Sequence, residues 1–119
     1  SNGLTREEVA QIEADSYTHA REDMLVHRVV DLAVNAALDV KWIQEALARV
    51  RDVLPASTTE SVESHLAIVE EFIASARNDP RSVDADAFHA PKESLDKASM
   101  PVQEAAITRS LRGDGTEAS

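Results

Sequence analysis

Between Leu4 and Arg112 the chain contains no glycine; its three glycines stand at positions 3, 113 and 115. Glycine supplies the positive backbone dihedrals of tight hairpins and lets a backbone come close to a phosphate. Without it through the whole interior, meandering sheets and phosphate-cradling loops are disfavoured, and helices remain. The sequence therefore predicts an all-α fold. Aromatic residues are scarce, with Tyr17, Trp42, Phe72 and Phe88 the full set. A core of Ala, Val, Leu and Ile suits close helix–helix packing better than a roomy ligand pocket. At 119 residues the chain is expected to form one domain.

The pattern of apolar residues divides this domain. A first, short helix is expected from about Arg6 to His19 or Ala20. Thr5 is placed as its N-cap, Glu8 completes a capping box, and Leu4 and Val9 are spaced for a hydrophobic staple. Its apolar stripe is narrow (Val9, Ile12, Ser16, Ala20), which predicts a helix resting on a surface rather than standing in a core. A long second helix should follow from about Arg21 to Leu54, ended by Pro55. Its seam, Val26, Val29, Ala33, Ala36, Val40, Ile43, Leu47, Val50 and Leu54, alternates spacings of three and four. Such a helix would be roughly 50 Å long.

A second stripe, Val30, Val34, Leu38 and Trp42, runs at a spacing of four on a different side of that helix. Beyond Gln44 the corresponding positions are polar: Glu45, Arg49 and Asp52. Two explanations fit. Either the short first helix covers the stripe, or the stripe docks on another domain. Leu4, Val30, Val34, Leu38 and Trp42 are therefore the candidate docking residues.

A third helix is expected to begin at a second capping box, Ser57 to Glu60, with Val62, Leu66, Val69, Ile73 and Ala76 facing the core. Asn78-Asp79-Pro80 should break the chain. Ser82 is placed to cap the next segment, whose Asp84 and Asp86 favour a helix N-terminus. Pro91 and Pro101 predict interruptions, and so two or three short helices between Val83 and Arg112. Val83, Phe88, Leu95, Ala98, Val102, Ala106 and Leu111 are the expected core contacts there. Gly113 is the expected C-cap, with residues 113–119 a flexible tail. Ser1-Asn2 reads as a remnant of tag cleavage. The short helices should pack with the long one as an antiparallel bundle.

Charge and chemistry narrow the function. The formal net charge is −10, from 22 acidic and 12 basic residues. No basic run offsets it, so nucleic acid and anionic membranes are not expected partners. With no cysteine, disulfides and thiolate metal sites are excluded. No apolar run has bilayer-spanning length and no signal peptide is present, so a soluble, cytoplasmic protein is expected. The best metal candidate is His19, Asp23 and His27, which share one helical face but have no second ligand cluster to join them. Di-iron bundles use Glu-x-x-His motifs, of which Asp86-x-x-His89 is a faint echo. His65 and His89 read as surface residues, and Glu7-Glu8 and Glu70-Glu71 as solvated charges. Neither an active site nor a bound cofactor or metal is expected in this chain.

The stretch GLTREEVAQIEADSYTHARED, residues 3 to 23, resembles the start of the C-terminal helical lid of seventy-kilodalton heat-shock chaperones of the DnaK and HscA type. In that family a segment like Gly-Leu-Ser/Thr-x-x-Glu-Ile/Val opens the first lid helix. Here Gly3, Leu4, Thr5, Glu8, Val9, Asp15, Ala20 and Asp23 fall on the pattern. Asp15-Ser16 and the compact ending ITRSLRGDGTEAS look more like the branch devoted to iron–sulfur cluster assembly. The resemblance implies a lid that closes over a peptide held in the chaperone's own β-sandwich domain. It also implies an ATPase domain using ATP and Mg in the intact protein, a J-domain co-chaperone and an iron–sulfur scaffold as client. DnaK-type members carry a polar latch midway along the long helix; Ala37 and Lys41 stand where its Asp and His are expected. An apolar contact through the second stripe would take the latch's place. The alternative is a free-standing acidic helical interaction module, a homodimer through Val30 to Trp42. Some self-association is expected under either reading.

Overall fold

In a computed structural model, which describes residues 3–113, the chain is all-helical. α1 runs Arg6–Val50, α2 Ala56–Asn78, α3 Ala85–Ala98 and α4 Met100–Leu111. Single 3-10 turns, Arg51–Val53 and Pro80–Ser82, join α1 to α2 and α2 to α3. The expected tag remnant and the tail beyond Gly113 lie outside the described residues.

The expected boundary between a short first and a long second helix does not exist: α1 is one helix of 45 residues. Nothing at Ala20-Arg21 breaks a helix, because neither residue lacks an N–H, strains the backbone or offers a competing cap. The helix starts as its sequence predicts. Thr5 Oγ1 accepts from the Glu8 N–H at 3.1 Å, and Glu8 Oε1 accepts from the Thr5 N–H at 3.0 Å. The staple pair stays largely in solvent, with Leu4 61% exposed.

Three further expectations are corrected. α2 begins directly after Pro55, whose carbonyl accepts from the Thr58 and Thr59 N–H groups at 3.0 and 3.2 Å. Ser57 therefore lies inside the helix, and no side chain caps it. Asp84, not Ser82, caps α3, accepting from the Ala87 N–H at 2.9 Å; Ser82 sits in the preceding 3-10 turn. Pro91 is accommodated inside α3. Pro101 falls in the first turn of α4, where a missing N–H costs nothing because that group has no intrahelical partner. Two helices thus fill the span from Val83 to Arg112. Gly113 adopts φ 73°, the left-handed conformation expected just past a helix end.

The core is the predicted seam. Val29, Ala33, Ala36, Val40, Ile43, Leu47 and Val50 of α1 are buried against Val62, Leu66, Val69, Ile73 and Ala76 of α2 and Phe88, Leu95 and Val102 of α3 and α4. Val26, Leu54, Val83, Ala98 and Ala106 are half-buried. The Phe72 and Phe88 rings stack with centroids 5.3 Å apart. Leu111 is 83% exposed and takes no part. Ser99, fully buried where α3 meets α4, satisfies its hydroxyl by donating to the Asp96 carbonyl at 3.1 Å and accepting from Gln103 Nε2 at 3.0 Å.

Candidate docking face

α1 is about 67 Å long at 1.5 Å per residue, and the bundle occupies only its C-terminal part. Its first buried residue is Val29, and every residue from Arg6 to Leu25 is exposed. The molecule is accordingly drawn out to 88 × 25 × 21 Å. The first half of α1 is an arm of about 30 Å that projects from the bundle and carries Val9, Ile12, Tyr17, Met24 and Leu25 in solvent.

The second stripe is just as open. Val30, Val34, Leu38 and Trp42 are exposed, Leu38 most of all at 63%. Of the two explanations for this stripe, cover by the N-terminal helix is overturned. That segment continues the axis of α1 and cannot fold back over its own later turns. Continuity also joins two stripes that a break at residue 20 would have separated. Val9, Ile12, Ser16, Ala20, Val30, Val34 and Leu38 fall on one side of a single helix, roughly opposite the buried seam. Sequence reading found both halves of this face but not their union; the missing signal was the lack of any residue between Ala14 and Met24 that stops a helix.

Ion pairs fasten the seam side, and on the stripe side Arg81 reaches to 3.9 Å from Asp23. Arg28 Nη2 donates to Asp86 at 2.9 Å, Lys92 Nζ lies 3.0 Å from Asp39, and Arg109 Nη2 donates to Asp52 at 3.0 Å. The first two tie α1 to α3, and the third ties α4 to the 3-10 turn that follows α1. Burial pulls the Lys92 ammonium down, but its hydrogen bond to Asp39 and the charges of Asp39 and Asp96 outweigh this and hold it above the ordinary lysine value. Where the arm leaves the bundle, Leu25, Val26, Pro80 and Val83 line an open cleft of about 430 Å³ together with Glu22 and Arg81.

His19, Asp23 and His27 do share α1, but they do not converge. His19 Nδ1 lies 4.0 Å from Glu22, and Asp23 lies 3.9 Å from Arg81. Among the described residues no group of three His, Cys, Asp or Glu side chains is arranged to hold a metal ion. His65, expected at the surface, is half-buried, its Nδ1 2.7 Å from the Ser61 carbonyl oxygen. His89 is exposed, 3.4 Å from Glu93. Among the described residues no helix is long and apolar enough to cross a membrane.

The arrangement is thus a four-helix body with an unsupported, apolar-striped helical arm, suited to docking. No family model matches the chain, and no solved structure matches it.

Proposed function

We propose that this chain is the helical lid of a chaperone of the seventy-kilodalton heat-shock type, docking on a peptide-binding domain through the outer face of α1. The observation that supports it best is the uncovered stripe Val30–Val34–Leu38–Trp42, continuous with an arm that has no buried residue. An apolar face of this extent is costly to leave in water unless a partner covers it. The capped start at Thr5 and Glu8 supports the reading too, since a specified helix start sets the direction in which a lever leaves whatever holds it. The lid moves as a rigid body and performs no chemistry: closure slows the escape of a bound peptide by shifting a population. ATP, Mg and the J-domain partner belong to the intact chaperone, and an iron–sulfur scaffold is the proposed client. The simplest test is to read the native frame upstream of Gly3. A β-rich domain preceded by an ATPase supports the proposal; a frame that starts at this helix overturns it.

The alternative, a free-standing acidic helical module, rests on the same open stripe and differs in what covers it.

A further inference from the structure

The outer stripe of α1 has a symmetry that the lid reading does not require. Ile12, Ser16, Ala20 and Asp23 on one side, and His27, Val30, Val34 and Leu38 on the other, are equidistant from residue 25. A twofold contact needs one patch that is complementary to itself when reversed. We infer that α1 pairs with the α1 of a second copy, antiparallel, about a twofold axis that crosses the helix at the level of Leu25.

Three features carry this. The first is steric. In the antiparallel register Ile12 meets Leu38 of the partner copy, while the small Ser16 and Ala20 meet the β-branched Val34 and Val30. Ile12, Val30, Val34 and Leu38 of one copy are covered by the other, and a small residue lies opposite a larger one at two of the three pairs.

The second is electrostatic. Next to the axis, Asp23 of each copy faces His27 of the other, so the polar centre of the stripe is complementary twice over. On one flank Glu8 comes beside Lys41, and on the other Met24 lies against its own symmetry mate. No like charges are opposed. Sliding the register so that Ile12 meets Val34 would put Asp23 against Asp23. The charges therefore select one register as well as one orientation.

The third is access. The buried seam, which begins at Val29, and helices α2 to α4 lie on the other side of α1; nearer the axis the Pro80–Ser82 turn lies by Leu25 and Val26, and Arg81 reaches to 3.9 Å from Asp23 of its own copy. Two copies can therefore meet along about 50 Å of helix, residues 8 to 41, with their bundles at opposite ends and on outer faces. The pairing does not depend on the lid reading; it gives the same face a different occupant when the chain is alone.

The test uses the chain itself, which has no native cysteine. Sedimentation velocity over a concentration series is expected to show a monomer–dimer equilibrium. Leu38→Asp and, in the arm, Ala20→Glu should each weaken the dimer about tenfold or more while leaving the helical circular dichroism unchanged. Single-cysteine variants then read the orientation. Met24→Cys should oxidise to a covalent dimer with itself. Ile12→Cys should cross-link only when mixed with Leu38→Cys. A monomer at every concentration, or self-cross-linking of Ile12→Cys, would overturn the inference. So would a dimer as tight in both charge-introducing variants as in the parent.

Discussion

Arg109 grips both carboxylate oxygens of Asp52, its Nη1 at 3.1 Å and its Nη2 at 3.0 Å, across 57 residues of sequence. The same guanidinium donates to the carbonyl of Arg49. This fork-to-fork contact locks α4 to the C-terminal end of α1, and its hydrogen bonds hold the Asp52 carboxyl below the usual aspartate value. A carboxylate with a lowered folded-state value stabilises the fold while the pH stays above the unfolded value, near 3.9. That contribution is lost as the pH falls through the lowered value. The thermal unfolding midpoint should therefore fall on acidification below about pH 4, and Asp52→Asn should flatten part of the dependence. An acid profile identical in the variant would contradict the role given to this pair.

Phe88 and Trp42 should separate stability from docking. Phe88 is fully buried and stacks on Phe72, so Phe88→Ala is expected to cost about 3–5 kcal/mol in denaturant unfolding. Trp42 is 44% exposed, and Trp42→Ala should stay within about 0.5 kcal/mol of the parent. A large loss at Trp42 would mean that the outer face is part of the core after all.

Amide exchange should divide α1 at Val29. A helix of about 20 residues without tertiary packing is marginal in water, and nothing from Arg6 to Leu25 is buried. Mass-spectrometric exchange is expected to show the arm opening far more often than Val29–Val50, whose amides open only with the bundle. Uniform protection along α1 in a monomer would contradict the picture of an unsupported lever.

The first turn of that lever should also sense pH. The Thr5 backbone N–H, and after it the Thr5 side chain, hold the Glu8 carboxyl below the usual value. Its contribution is present above the unfolded value, near 4.3, and is lost as the pH falls through the lowered one. Protection of the first turn, taken relative to the intrinsic exchange rate at each pH, should fall below about pH 4; Glu8→Gln should remove that dependence.

Much of this was legible in the sequence, for reasons that differ by element. The α1 seam and Val62–Ala76 of α2 stand out because three-four spacing survives any error in the helix ends. The capping box at Thr5 formed as its spacing predicts, Thr5 and Glu8 each accepting from the other's backbone N–H. The one at Ser57 did not form, because the Pro55 carbonyl lets the helix start two residues earlier. Pro91 was read as a break, yet packing against α1 and α2 carries α3 through it. Buried Ala46, Thr59 and Ser99 went unseen, since small or polar residues give no hydropathy signal. The docking residues were legible as an apolar stripe without a visible cover. Its full length was hidden by a helix break that the chain does not contain.

We propose that the outer face of α1 is a docking surface that governs peptide release in an intact chaperone, and the rate of that release measures it most directly. In the intact chaperone, Leu38→Asp should speed the dissociation of a bound peptide about tenfold or more, with the fold of the lid unchanged. A dissociation rate equal to that of the parent would contradict the claim.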